Sequence, residues 1–344
     1  MSSRGQETRD LLFARLFGLT SVVQSGLLYR PTATIDDFKT TVSELINVGK
    51  QKAWLRESCW WAVIKAIEGL EQGQVEWRAD AGAWVAELVF ADQEGKMDWT
   101  PEKVALGLKM QEIYPVSLIP LCHQHKVLTS ADFGPCVVPF PQSLPWKTLL
   151  LPPFKHISLL HPSNLPIVSR ILKEASSAAE DEDEPAAAST SAAAAAPNKN
   201  GTGSWKPHPH FVWDMILDAY FPKEGSAAAA VKDKAAFSDF YRVVVDGVSS
   251  LLCAVSAFQS DTVAPFSSTE SLFDVKTSSE RKFWGFQIFE KALPRLPASE
   301  IPLVFTPNFM RVWINNLSGE DRYLHKAALS IVCTLLNGCR PHRS

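Results

Sequence analysis

The feature that most constrains this chain is a succession of segments whose apolar residues recur at helical spacing, each bounded by a helix start or stop signal. In TRDLLFARLFGLTSVVQSG, Leu12, Leu16, Leu19, Val22 and Val23 share one side, and Gly26 stands where a C-cap belongs. The next segment opens TIDD, with Thr34 and Asp37 spaced as a capping box. Its stripe is Phe38, Val42, Leu45 and Ile46, ending at Gly49. KAWLRESCWWAVIKAIEGL follows with Leu55, Trp60, Ile64 and Ile67 on its apolar side. AWVAELVF comes next, then TPEKVALGLKMQEIY, where Thr100 caps and Pro101 takes the first helical position. Segments joined by such short polar turns predict antiparallel helical neighbours over residues 1–114.

Residues 115–153 break the pattern. Pro115, Pro120, Pro135, Pro139, Pro141, Pro145, Pro152 and Pro153 exclude a regular helix. A helix is expected within 154–175, where Leu165, Val168, Ile171 and Leu172 face inward. Residues 176–204 hold acids, alanine, serine and glycine without a large apolar side chain, which predicts a disordered linker. The stretch 205–246 reads as helical, including RVVVD (Arg242 to Asp246), which follows Ser238 and Phe240 in a helical pattern. EGSAAAAVKDKAA within it reads as a weaker linker or a solvated helix start.

The stretch 270–344 is helical again. SERKFWGFQIFEKAL is apolar nearly all round, which predicts a buried central helix carrying Phe283, Trp284, Phe286, Ile288 and Phe289. TPNFMRVWINNL places Met310, Trp313, Ile314 and Leu317 on one stripe. SGEDRYLHKAALSIVCTLLNG opens with a second capping box, Ser318 to Asp321. It carries a double stripe: Tyr323/Leu324, Ala327/Ala328, Ile331/Val332 and Leu335/Leu336. Strand-like alternation is nearly absent. The fold class read from these patterns is all-α, an irregular α-solenoid of the HEAT or armadillo kind with diverged repeats.

Composition bounds the function classes. Apolar residues make up 46% of the 344, enough for a sizeable core, and the formal net charge of −3 does not suggest a nucleic-acid-coating protein. Cys59, Cys122, Cys136, Cys253, Cys333 and Cys339 form no CxxC pair. The charged start SSRGQETRD is not a secretory leader, and no apolar run is long enough to span a membrane. These features predict an intracellular chain with free thiols. The eleven tryptophans suggest many buried helix–helix contacts.

Candidate chemistry is sparse. Cys122, His123, His125 and Cys136 lack the paired spacing of structural zinc and read as loop. Glu180–Glu184 reads as a solvated acidic tract rather than a metal site. His208 and His210 precede an apolar run, with Asp214 a partner for His210; a satisfied histidine at a helix start is the better reading than a general base. No GxSxG motif is present. No cofactor or metal is expected. Basic residues outnumber acidic ones from Arg281 to Ser344. Arg322 and Lys326, four apart, would share an outward helix face, so Arg311, Arg322 and Lys326 form a candidate ridge for phosphate or a protein partner. Trp284, Phe289, Trp313, Tyr323 and Leu324 are the expected packing residues, with Leu317-Ser318-Gly319 setting the angle between helices.

RDLLFARLFGLTSVVQSGLL, KAWLRESCWWAVIKAIEGL, HPHFVWDMILDAYF, FSDFYRVVVD and the long block from Ser279 to Leu329 resemble, in that order, the DNA polymerase phi family, also known as the Myb-binding nucleolar protein family. The resemblance implies a nuclear, mainly nucleolar protein with roles in ribosomal RNA production, ribosome assembly and transcriptional regulation. It implies nucleolar and pre-ribosomal protein partners, with ribosomal DNA or RNA as a further candidate. The family name implies a DNA polymerase. Against that, the only Asp-x-Asp here, Asp181-Glu182-Asp183, lies in the expected linker. A generic adaptor or transport solenoid is a third reading. The resemblance also implies longer chains with acidic and lysine-rich tails, so this one reads as a fragment. The family pattern would run EIYP into SLPWKTLL and VVVD into ESLF, which marks 116–142 and 247–269 as insertions. Each begins at or beside Val-Ser, which a common intron donor encodes in frame, so both are expected to be retained introns. The second is expected to separate helices that normally pack together.

Overall fold

A computed structural model describes residues 8–73, 75–90, 99–114, 153–174, 208–222, 233–247 and 271–338. All regular structure among the described residues is helical. The 116–142 segment, the acidic tract, and Cys122, His123, His125 and Cys136 lie outside them, as do most of 247–269 and 176–204.

The start signals work locally as the sequence predicts. Helix α1 (Arg9–Gln24) is capped by Thr8, whose side chain accepts from the Leu11 N–H, and Gly26 follows its end at φ 72°. Helix α2 (Ile35–Gln51) carries the complete capping box: Thr34 N–H donates to Asp37 at 2.9 Å, and Asp37 N–H donates to the Thr34 hydroxyl at 3.3 Å. Helices α3 (Ala53–Gly73) and α4 (Arg78–Phe90) follow. Helix α5 (Pro101–Ile113) starts on Thr100 with Pro101 in its first turn.

Helix α2 lies along α3, α1 covers both, and α3 packs on α5. Helix α5 in turn meets α6 (Leu165–Glu174) and α7 (Val212–Tyr220). The short helix α8 (Phe237–Phe240) runs on as a π turn, Tyr241–Val245, and that turn packs on α6. Helices α9 (Ser279–Ala292) and α10 (Pro307–Leu317) both pack on α11 (His325–Gly338). A single apolar core runs from Leu12 to Ile331. Helices α4 to α11 have 4 to 14 residues and are marginal alone, so this shared seam is what holds them.

Two close approaches set helix spacing at the N-terminal end. The Tyr29 ring lies on the backbone of α3 where Gly69 and Gly73 leave room; a Cβ at Gly69 would come within 2.2 Å of it. Its hydroxyl donates to the Ala66 carbonyl at 2.7 Å. Tyr114 lies likewise on Gly82 and donates to the Arg78 carbonyl at 2.7 Å, while Arg78 donates back to the Ile113 carbonyl at 2.8 Å. Burial of Tyr114 raises its phenol to about 12, the facing Arg78 notwithstanding.

Several expectations need correction. Within 154–175 the helix begins only at Leu165. The preceding residues form a loop organised by buried Asn164, which accepts from the Lys155 and His156 N–H groups and donates to the His156 and Ser158 carbonyls. Gln111 of α5 holds the same loop by donating to the Ile157 carbonyl at 2.6 Å. The end of EGSAAAAVKDKAA is docked rather than a solvated helix start: Lys234 donates to the Ala219 carbonyl at the end of α7, and Ala235 N–H donates to the Leu160 carbonyl. RVVVD is helical, but wound as a π turn with Asp246 N–H bonded to the Tyr241 carbonyl at 2.9 Å. The residues flanking 248–270 are not separated, because Leu272 N–H donates to the Val245 carbonyl at 3.0 Å. Among the nine described tryptophans only Trp213 is buried; Trp60, Trp61, Trp77, Trp84, Trp99 and Trp313 pack half-buried against the core, and Trp54 is exposed.

The Tyr29 clasp makes a paired prediction. Gly69→Ala is expected to destabilise the chain by about 1–3 kcal/mol through overpacking. Gly18→Ala, in α1 with nothing within 4 Å, is expected to stabilise it by about 0.5–1 kcal/mol. Denaturant unfolding of the two variants beside the parent checks both signs.

Candidate functional site

The most specific arrangement lies where the π turn meets α9 and α10. Its hub is Phe309, fully buried, with its ring stacked on Phe289 at 4.3 Å and on Trp313 at 5.6 Å. Phe273, Phe286 and Phe305 close around it at 5.4 to 6.0 Å. Phe289 also meets Tyr241 edge-on at 6.2 Å. Such contacts stabilise beyond the area they bury, by about 0.5–1.5 kcal/mol per pair.

Beside this cluster Asp246 is completely buried. Thr306, at the N-cap position of α10, makes no capping bond with its own side chain. The cap comes instead from Asp246, whose Oδ1 accepts from the Phe309 N–H at 3.2 Å. Asn308 Nδ2 donates to the Asp246 carbonyl at 3.3 Å. Burial drives the Asp246 carboxyl up to about 6, although Thr306, the Phe309 N–H, Asn308 and Arg311 all oppose the rise. The other carboxylate buried among the described residues, Glu102 on α5, faces His210, with Nε2 and Oε1 3.7 Å apart, an electrostatic contact beyond hydrogen-bond reach. Burial works to raise Glu102, but His210 and Thr100 outweigh it and hold the carboxyl below its usual range. Each of these acids joins segments distant in sequence.

The structure places the ridge residues differently from the sequence reading. Helix α11 begins at His325, so Arg322 lies in the preceding turn and shares no helix face with Lys326. The Ser318–Asp321 capping box does not form; the Ser318 hydroxyl bonds the Asn315 carbonyl at 2.8 Å. Arg311 is exposed but donates to the Phe273 carbonyl at 3.4 Å. Much of the remaining basic excess is engaged. Lys291 pairs with Asp214 at 2.5 Å and Arg295 with Asp218 at 2.8 Å, while Arg281 donates to the Lys173 carbonyl. Asp214 is therefore the partner of Lys291, not of His210. These exposed pairs join α7 to α9 and the turn after it, and contribute little energy each. Arg322 and Lys326 are exposed.

Of the expected packing residues, Phe289 and Leu324 are buried. Trp313 is half-buried and donates from Nε1 to the Ala328 carbonyl at 3.0 Å, tying α10 to α11. Trp284 is half-buried rather than central. Tyr323 is 71% exposed and holds no core position. The α10 stripe is also turned: Phe309 and Val312 face the core, while Ile314 is 54% exposed. Phe309 was missed because a phenylalanine in the first turn after Thr-Pro sits outside the stripe that starts at Met310. Its spacing to Val312, Trp313 and Asn316 carries the true face. No cluster of three or more metal-ligating side chains occurs among the described residues, and none of their helices is long and apolar enough to cross a membrane.

Short helices sealed by one core, with their buried acids spent on joints, define an all-helical packing protein. Comparison with known sequences gives the particular family. The DNA polymerase phi sequence model matches residues 1–256 and 269–344, and the chain belongs to that family. The unmatched residues 257–268 fall within the segment whose flanks meet at Val245 and Leu272. The rDNA transcriptional regulator pol5 of Schizosaccharomyces pombe is 28% identical over 332 residues, covering 96% of this chain and 26% of its own length. The rDNA transcriptional regulator POL5 of Saccharomyces cerevisiae is 22% identical over 356 residues, covering 98% of this chain and 29% of its own. The chain thus spans little more than a quarter of the relatives it matches. No solved structure matches it.

Asp246 makes a pH prediction whose sign follows from its raised carboxyl. A group held up to about 6 in the folded chain stabilises it fully below the unfolded value of 3.8, and that contribution is lost as pH rises through about 6. Asp246→Asn keeps the acceptor without the charge. It is expected to be more stable than the parent by about 1–3 kcal/mol at pH 7.5, with the gap narrowing by about half at pH 5 and closing only below the unfolded value of 3.8. Asp246→Ala leaves the Phe309 N–H unpaired and is expected to cost about 1–3 kcal/mol at pH 5, where the parent is protonated. Urea unfolding at both pH values checks the pattern.

Proposed function

We propose that this chain is a non-enzymatic helical-repeat scaffold of the HEAT or armadillo kind. It acts in the nucleus, within the nucleolus, in support of ribosomal RNA production, ribosome biogenesis and transcriptional regulation. Its partners in this reading are nucleolar and pre-ribosomal proteins, with ribosomal DNA or RNA as a second class, and it takes no small-molecule substrate.

The observation that carries the reading is the similarity, along nearly the whole chain, to proteins named as regulators of rDNA transcription. The packing supports it. One continuous seam joins successive helices, and the buried acids Glu102 and Asp246 face a histidine and a helix start respectively. A series of helices sharing a seam presents long surfaces rather than a reactive cleft.

A nucleotidyl transferase is the second reading, favoured by the name of the family. One pair of experiments separates them. Chromatin immunoprecipitation of the native full-length protein is expected to enrich ribosomal DNA over other loci. Primer extension by the purified protein with Mg²⁺ is expected to give no incorporation above that of a Glu102→Gln, Asp246→Asn double variant. Absence of rDNA enrichment would sink the scaffold's proposed place, and incorporation that the double variant lacks would restore the enzyme.

A further inference from the structure

The loop ahead of α6 turns on two histidines laid face to face. The His156 and His161 rings stack with centroids 3.9 Å apart and planes 20° from parallel, and both residues are half-buried. Each ring spends its Nδ1 on the main chain two residues ahead. His156 accepts from the Ser158 N–H at 3.1 Å, and His161 accepts from the Ser163 N–H at 3.2 Å. An Nδ1 that accepts carries no proton, so both rings are neutral with their proton on Nε2. Charging either ring adds a proton to that same Nδ1 and sets it against the N–H it was holding. The Ser163 hydroxyl, 2.7 Å from His161 Nδ1, can accept from the new proton, but the Ser163 N–H then loses its partner. Charging both rings places like charges at stacking distance.

The pair stands at a joint. On one side Leu159 seats on Gly107 of α5, and Gln111 of α5 donates to the Ile157 carbonyl at 2.6 Å. On the other side the Leu160 carbonyl accepts from the Ala235 N–H at 2.8 Å, at the entry to α8. These anchors all lie between the two histidines in sequence, so the ring stack closes the turn that carries them. The charged groups around the pair are few among the described residues. Asp233, ahead of α8, favours a charge on His161, but burial and the neighbouring His156 outweigh it and hold the ring below its usual range. Lys155 is exposed beside His156, and Lys234 is turned to the carbonyls that end α7. Helix α5 offers uncharged Gln111 and Gly107, its Lys109 and Glu112 pairing with each other at 2.7 Å and its Glu102 facing His210. Helix α6 opens on Leu165, Pro166, Ile167 and Val168, without charge. We propose that the stacked histidines are an acid-released latch: neutral, they hold α5 to the segment entering α8, and protonated, they free the loop while the helices stay folded. A ring held below its ordinary value stabilises the closed loop fully above the unfolded value of 6.5, and that contribution is lost as pH falls through the folded value. The sign is opposite to that of Asp246, whose contribution is lost as pH rises, so only a local measurement separates the two. The latch is independent of the scaffold reading, which is tested by rDNA occupancy.

Hydrogen exchange of the whole chain, followed peptide by peptide and corrected for the intrinsic effect of pH, compares pH 7.5 with pH 5.5. Protection across 155–164 and in the peptide holding Ala235 is expected to fall at pH 5.5, by at most about tenfold for each ring that charges. Helices α2 and α3 are expected to keep theirs. His156→Asn with His161→Asn puts an amide oxygen near each Nδ1 position, where it accepts the same N–H and does not titrate. That double variant is expected to hold its protection at both pH values. Histidine NMR of the parent gives a second reading: the His161 ring is expected to titrate below 6.5, and lower still in Asp233→Asn. The proposal is overturned if the loop is equally protected at both pH values, or if its loss at pH 5.5 persists undiminished in the asparagine variant. It is equally overturned if α2 and α3 lose protection alongside the loop, or if His161 titrates at or above 6.5. Should the asparagine variant lack protection already at pH 7.5, the parent's exchange and the His161 midpoint decide between these outcomes.

Discussion

The arrangement depends on side chains from the connecting segments pressing onto helix backbone where a glycine leaves no Cβ. Tyr29 does this on Gly69 and Gly73, Tyr114 on Gly82, Leu159 on Gly107 and Phe273 on Gly285. In each case the incoming group belongs to a turn, a loop or a helix end, and the receiving group is the middle or end of a helix. An irregular segment has no ladder of backbone bonds to hold it, so its position has to come from a side-chain anchor. A flat ring on bare backbone buries area on both sides at close range, and a hydroxyl at its far edge can finish the contact. Tyr29 and Tyr114 do so on the Ala66 and Arg78 carbonyls. The helices then have little freedom to slide, because the anchor fits only at that level of the helix.

The C-terminal third solves the same problem with rings on rings and one acid. Phe289, Phe309 and Trp313 stack in sequence, and Phe273 reaches the stack from its seat on Gly285. Asp246 enters from a distant part of the chain to cap α10. A buried carboxylate is a costly cap in energetic terms, but it is directional. It locates the first turn of α10 against the π turn, which apolar contact alone would leave free to rotate. Glu57 acts in a parallel way at the other end, accepting from the Phe211 N–H at 3.2 Å and so seating the start of α7.

What was legible in the sequence was local. Thr34, Asp37, Thr100, Pro101 and Gly26 specify helix ends through bonds between residues a few positions apart, and all behave as read. The inward set Leu165, Val168, Ile171 and Leu172 is likewise buried. Apart from the Ser318–Asp321 box, a local start signal that does not form, the failures concern which side of a helix meets which neighbour. The stripe from Met310 to Leu317 and the double stripe of α11 both contain apolar residues all the way round, so periodicity alone leaves the core face undetermined. Asp246 settles the first by holding Phe309, and Glu290 settles the second by drawing Ser330 and Thr334 inward. Arg322 and Lys326 were placed on one face by assuming that the helix started at Ser318, whereas the turn persists to Leu324. Long-range polar partners of this kind leave no mark in spacing.

The hydrogen bond from Leu272 to Val245 has a consequence for how such a gene can vary. The Ser271 hydroxyl also lies 3.4 Å from the same carbonyl, so the two strands of chain that leave and rejoin the core there are stitched at their base. Once such a base is closed, the free-energy cost of additional residues between the stitches grows only logarithmically, by about 0.6 kcal/mol for each doubling. Codons gained or lost at this point are therefore nearly invisible to selection acting on foldedness. Length polymorphism among relatives should gather here, while the residues forming the stitch itself stay put.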